Sequence, residues 1–243
     1  ELVTDVPSRL AVLLDRGELD AAIVSSIEAF RNPRMLVLPG ISISANGPVH
    51  SVKVFSMVPF ASIRTLATDN GSLTSVALAQ ILLKECYGVA AKCISMAPEP
   101  SAMLESCDAA LLIGDRALIG YDAPWTMDLS EVWREHTGLP FVFAVWMIVD
   151  PCKAEPAFEA LSRAKAWGIE NRHTIAADWS RKTGIPVSIA TDYLEHVMVY
   201  DLKAEGQASL KRFAELCVTH GLVQTSSNLH FASAATQRTG LPE

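Results

Sequence analysis

Ser72, Thr74 and Ser75 bring three hydroxyls into four residues where "TDNGSLTSVAL" leaves a short strand and enters a helix. The first turn of a helix has free N–H groups and the positive end of the macrodipole, so it draws anions, and hydroxyls beside it add donors. A plain N-cap uses one such side chain; three exceed what capping needs. Capping and anion binding both stay open on spacing alone. Ser25 ends the apolar stretch "DAAIVS", and ligands of open α/β sheets bind beyond the carboxyl ends of strands. Ser26 beside it can simply start the next helix. "LLIGDRAL" ends another apolar run at Gly114, where the missing side chain admits a ligand or a second backbone. Asp115 reads as a helix N-cap before it reads as an acid.

In "ANGPVHSVKVFS" (residues 45–56) a turn at Asn46, Gly47 and Pro48 runs into an alternating strand. Alternation puts Val49, Ser51, Lys53 and Phe55 on one face and His50, Val52 and Val54 on the other. The small hydroxyl of Ser51 is either strand filler or faces something other than protein. His50, on the opposite face, is expected to pack or to meet solvent and not to act as a base. The six histidines fall at no metal-ligand spacing, and there is no GxSxG elbow, P-loop or GxGxxG. A hydrolase, kinase or dehydrogenase is therefore not indicated. Trp133, Trp146, Trp167 and Trp179 are expected to pack. What remains is a set of neutral hydroxyls and backbone amides, suited to holding a carboxylated small molecule.

These side chains need elements to position them. "DVPSRLAVLLDRGELD" predicts a helix with Asp5 as N-cap, Pro7 in its first turn and Gly17 as its stop. Strands follow at "DAAIVS", "LVLPGISIS", "VHSVKVFS" and "RTLATD", then a helix through "GSLTSVALAQILLKECYG". "AKCISMA" is a strand, "EPSAMLESC" a short helix, and "DAALLIG" a continuous apolar strand of the kind a parallel sheet covered on both faces requires. After "PFVFAVWMIV" (140–149), read as a buried strand, the chain from Pro156 onward is mostly helical. Strands alternating with helices, then a helical coda, give an α/β fold.

The 243 residues, half of them hydrophobic and 19% charged, suffice for one large domain or two modest lobes. No apolar run approaches the roughly 18 residues that span a bilayer, so no membrane partner is expected. Five cysteines, an odd number with no CxxC pair, read as reduced core thiols of a cytoplasmic protein. A net charge of -7 with 20 scattered Lys and Arg argues against nucleic acid.

Five blocks, "GELDAAIVSSIE", "GPVHSVKVFS", "SLTSVALAQILL", "DAALLIGDRAL" and "DLSEVWREHTGLPFVFAVW", occur in the order found in one family. Across residues 7–150 the chain resembles the chorismate dehydratases of the futalosine route to menaquinone. The resemblance implies a two-lobed fold like the type II periplasmic binding proteins, with a helical C-terminal segment and the ligand between the lobes. Lobe I would comprise residues 1–57 and 144–243, and lobe II residues 58–143, the chain crossing near Phe55–Phe60 and returning near Phe141–Val145. The implied reaction turns chorismate, a dicarboxylate, into 3-[(1-carboxyvinyl)oxy]benzoate and water with no metal or organic cofactor. The family's Gly-Pro-Val-x-Ser block puts Ser51 against the substrate as the catalytic hydroxyl. Ser25, Thr74 and Ser75 carry over as substrate contacts, and Ser72 and Gly114 join them from the local reading. One departure stands out: the family begins with a strand bearing a Tyr/Phe-Leu-Asn-like segment whose asparagine lines the cleft, and nothing in this sequence matches it. Two rivals follow, a sister enzyme forming 1,4-dihydroxy-6-naphthoate with a histidine base, and a non-catalytic binding protein for a carboxylated metabolite.

Overall fold

The longest apolar run becomes the spine of one sheet. In the computed structural model, which describes residues 1–69, 71, 73–224 and 229–232, Phe141–Ile148 is strand β8 and lies between two antiparallel neighbours. These are β1 (Ala22–Ser25) and β2 (Leu36–Ala45), and β9 (Met198–Val199) adds to β2, giving the order β1-β8-β2-β9. The second sheet has the order β5-β4-β6-β3-β7. Its strands are β3 (Val52–Ser56), β4 (Thr65–Thr68), β5 (Lys92–Ser95), β6 (Ala109–Ile113) and β7 (Trp125–Asp128). β6, expected in a parallel sheet, is parallel to β4 but antiparallel to β3, so the sheet is mixed. Its unbroken apolar character reflects cover on both faces, which a mixed sheet also requires.

The sheet change differs from expectation in position. β3 belongs to the second sheet, so the chain crosses between Ala45 and Val52 rather than near Phe55–Phe60. Val49, expected beside Ser51, packs in the same core cluster as Val52 and Val54. The cause is His50, whose φ of 62° bends the chain just before β3 and ends the alternation there.

Helices cover both sheets. α1 (Pro7–Asp15), α2 (Glu28–Arg31), α7 (Ala154–Glu170) and α10 (Ala204–Thr219) accompany the first. α3 (Leu73–Tyr87), α4 (Pro100–Ser106), α5 (Asp115–Ile119) and α6 (Leu129–Thr137) accompany the second. α8 (Arg172–Thr183) and α9 (Val187–Asp192) lead into a π-helical turn, Tyr193–Val197. The first helix starts one residue later than Asp5 would cap; Asp5 instead accepts the N–H of Val6, the N-cap.

One aromatic cluster joins the two layers. Trp133 of α6 meets Phe141 of β8 edge-on at 5.2 Å and Phe213 of α10 at 6.0 Å, and Phe213 meets Phe30 of α2 at 5.7 Å. Such contacts add about 0.5–1.5 kcal/mol each to the burial of the rings. The Trp133 indole N–H is satisfied by Ser209 Oγ at 3.1 Å. Trp167, expected to pack, is 60% exposed on α7. Cys107 and Cys217 are core thiols, whereas Cys86 and Cys152 lie on the surface.

Asp108 clips the start of the second sheet. Its Oδ2 accepts from the Arg64 and Thr65 amides and the Thr65 hydroxyl, each at 2.9 Å. The Arg64 amide first, with the other donors helping, holds the carboxyl below its ordinary range. A carboxylate with a lowered folded-state pKa stabilises the fold above the unfolded value of about 4 and ceases to do so as pH falls through the folded value. Asp108→Asn is expected to cost about 1–3 kcal/mol at pH 7 in urea unfolding. The gap to the parent protein should close as the pH is lowered below about 4.

Candidate functional site

The register of the second sheet collects the predicted residues. β4 and β6 run parallel, and Val52 at the entry of β3 faces Ile113 at the exit of β6. The exits of β4 and β6 and the entry of β3 therefore share one edge. From that edge come α3, Gly114 and Ser51, the arrangement in which carboxyl-end sites form. Gly114 donates its N–H to the Ser51 carbonyl at 2.8 Å. Its φ of 62° and ψ of −141° suit glycine alone, and an added Cβ would meet nothing within 4 Å. The amide is thus committed, and what Gly114 offers a ligand is space.

Across the boundary, Ser25 ends β1 opposite Ala144. Ser26 donates to the Val142 carbonyl at 2.8 Å, so the proton between Ser26 and Thr74, 3.3 Å apart, comes from Thr74. Thr74 Oγ1 in turn accepts the Ile27 N–H at 3.2 Å. Thr74 is therefore the bridge that holds the first turn of α3 to the β1–α2 turn, and a ligand using its proton must displace Ser26. Ser25 and Ser75 differ: both are 7% exposed, yet neither hydroxyl is partnered among the described residues. These two are free to donate. Ser72 lies outside the described residues.

Ser51, 4% exposed, meets Tyr193 of the π-helical turn, Oγ to Oη 2.8 Å. Burial pushes the Tyr193 phenol up, against the Ser51 hydrogen bond that pulls it down, so the phenol stays protonated at neutral pH. Trp179 of α8 packs edge-on against Tyr193 at 5.5 Å and donates to Asp115 Oδ1 at 3.0 Å. Asp115, expected as an N-cap, is the first residue of α5 and serves instead as this acceptor; Gly114 holds the cap position. A pocket of about 370 Å³ adjoins Tyr193, lined also by His50, Lys53, Ser188 and Asp192.

One residue missed in the sequence positions Ser51. Asp128, at the end of β7, caps α6 through Ser130 and Glu131 N–H and also accepts Val49 N–H (3.1 Å) and His50 N–H (2.6 Å). "DLSE" is a readable capping signal, but nothing local announces the second pair of donors. Tyr193 had no signal at all, since it sits 142 residues from Ser51 in an amphipathic helical stretch.

A family described as menaquinone biosynthesis matches residues 1–219. The chorismate dehydratase of Thermus thermophilus is 33% identical over 232 residues, 86% of this chain and 84% of that protein. The chorismate dehydratase of Campylobacter jejuni is 29% identical over 214 residues, 87% and 81% of the two chains. Among solved structures, a protein of Archaeoglobus fulgidus superposes with a TM-score of 0.70 at 20% identity, covering 91% of this chain and 86% of that one. The periplasmic aliphatic sulphonate binding protein of Escherichia coli gives 0.66 at 16% identity, covering 98% and 82%. The fold is that of the periplasmic binding proteins.

Asp128→Asn puts an NH2 group where one carboxylate oxygen now accepts an amide. Loss of about 1–3 kcal/mol in chemical unfolding is expected. Asp128→Ser, which can still cap α6, should recover only part of it, because the Val49–His50 amides stay unpaired; full recovery would show that capping is all Asp128 does.

Proposed function

From the premise that this chain belongs to the menaquinone biosynthesis family, we propose that it is a hydro-lyase converting chorismate to 3-[(1-carboxyvinyl)oxy]benzoate and water. One observation carries the reading into the geometry. Ser25, Ser51 and Ser75 are buried neutral hydroxyls, the first and last flanking the Thr74–Ser26 bridge, and these two are unpartnered among the described residues. Donors of this kind bind carboxylates without neutralising them.

Chorismate has a ring proton at C3 and a hydroxyl at C4, and losing both aromatises the ring. The ring carboxylate acidifies the C3 proton through the conjugated diene. Bound at the first turn of α3 with Ser75, that carboxylate is stabilised as charge builds on it. The helix terminus supplies about 0.3–1 kcal/mol, up to ~2 when partly buried, while micromolar affinity needs roughly 8 kcal/mol. Direct hydrogen bonds from hydroxyls and amides must supply most of the rest. The enolpyruvyl carboxylate of the substrate takes the C3 proton, the C3–H electron pair becomes the new ring double bond, and the C4 hydroxide leaves with that proton as water. Ser51 donates to the departing oxygen. Closure of the two sheets over the substrate excludes water and strengthens each of these contacts.

The six histidines leave this reading intact. His136 and His220 pair with Glu85, His173 with Glu195, and His196 with Asp192. His50 is exposed and holds its turn through its backbone, and His230 is exposed near the end of the described chain. Among the described residues no helix is long and apolar enough to cross a membrane, which is compatible with an enzyme working in the cytoplasm.

The test is to incubate the full-length protein with chorismate and follow the aromatic enol ether. Ser51→Ala should lower kcat by about 10²–10³, the usual effect of losing one such donor; a folded variant within about threefold of the parent removes Ser51 from the mechanism. His50→Asn should stay within about threefold, because asparagine tolerates the left-handed backbone. A hundredfold loss there would favour the sister enzyme with its histidine base.

A further inference from the structure

Ser51 can act as a donor only if its single proton points at the substrate. A serine hydroxyl has one proton and two lone pairs, and Ser51 Oγ already shares a 2.8 Å contact with Tyr193 Oη. If Ser51 gave its proton to Tyr193, none would remain for the reaction. We infer that Tyr193 is a positioning residue: its phenol donates to Ser51 Oγ and so leaves the Ser51 proton free to point at the substrate. The inference rests on the role proposed above for Ser51.

Three observations support this direction. A phenol is a far stronger hydrogen-bond acid than an alkyl hydroxyl, so of the two groups the tyrosine is the natural donor. Tyr193 has no other hydrogen-bond partner among the described residues, so the opposite direction would leave its own buried proton unused, at a cost of about 1–3 kcal/mol. Burial keeps the phenol protonated and hence a donor. A hydroxyl that accepts one hydrogen bond also becomes a better donor in the next, so the link sharpens the acidity of Ser51 as well as its aim.

The surroundings fix the phenol from both sides. Tyr193 opens the π-helical turn that follows α9, a local irregularity that recurs at functional sites. Its ring rests on Trp179, Trp179 donates to Asp115, and Asp115 follows Gly114, whose amide holds the Ser51 carbonyl. The circuit Ser51–Tyr193–Trp179–Asp115–Gly114 therefore closes on itself. Its two aromatic members come from the C-terminal helices and the other three from the segments flanking β3 and β6 of the second sheet. A shift of the helices relative to that sheet would open the Tyr193–Ser51 bond, so the donor is aimed only when the two parts are together.

Tyr193→Phe removes one oxygen and keeps the ring against Trp179, so the variant should melt close to the parent. Its kcat should fall about five- to tenfold, with KM within about twofold. In the Ser51→Ala background the same substitution should change kcat by less than about twofold, because its target is gone. A kcat for Tyr193→Phe within about 1.5-fold of the parent would overturn the inference, as would a full five- to tenfold further loss on top of Ser51→Ala. If Ser51→Ala were harmless while Tyr193→Phe was not, the role of Ser51 would fail and Tyr193 would be acting by itself, which also overturns the positioning link. A large loss in Ser51→Ala with none in Tyr193→Phe would leave the serine's role standing and remove only the tyrosine's.

Discussion

One carboxylate sets the shape of the candidate site. Asp128 receives four backbone N–H groups, two from the start of α6 and two from the turn that delivers Ser51. Each donor would be costly to bury alone, and a charged acceptor satisfies them with bonds about twice as strong as neutral ones. The same interaction offsets the left-handed backbone of His50, a conformation that costs an L-residue roughly 1–2 kcal/mol. Without that turn, Ser51 would continue the alternation of β3 and would not be held as it is against the C-terminal helices.

From this anchor the rest of the arrangement follows. α6 is fixed at its start by Asp128 and packed along its body by Trp133, which lies against β8 and α10. Ser130 reaches the Ala45 carbonyl at the end of β2, and Arg134 reaches Asn46 in the turn that follows. One helix thus touches both sheets, while the Thr74 bridge and the Tyr193–Ser51 bond cross between them closer to the candidate site. All of these crossings near the site are neutral hydrogen bonds. Each is worth about 0.5–1.5 kcal/mol net, weak enough to exchange for bonds to a ligand, whereas the aromatic cluster is large enough to persist.

The candidate chemistry is built from groups that carry no charge of their own. A site of hydroxyls and amides depends wholly on direction, because a neutral donor turned away from its acceptor contributes nothing. That is why the positioning residues matter here as much as the donors: Asp128 places the Ser51 backbone, Gly114 holds its carbonyl, and Tyr193 orients its hydroxyl.

Much of this was legible in the order of residues. The periodicity of apolar positions named most strands and helices, since burial of one face imposes its spacing locally, and "PFVFAVWMIV" declared itself a buried strand; β7, α6 and β9 went unread. Ser25 stood out at the end of an apolar strand, Ser51 in an alternating strand after a turn, and Thr74 and Ser75 at the start of a helix. What the sequence could not express was partnership. The positive φ of His50 goes with amides captured by a carboxylate 78 residues away, and β3 joined the other sheet through its pairing with β6 and β7. Tyr193 looked like one more aromatic in a helical coda until folding carried it across 142 residues to Ser51. Thr74 proved committed to a turn of the opposite layer, while Ser25 and Ser75 were left free. Local propensity and burial are properties of neighbouring residues and so are written in the chain; the direction of a proton and the pairing of distant donors arise only when tertiary packing brings the partners within 3 Å or so.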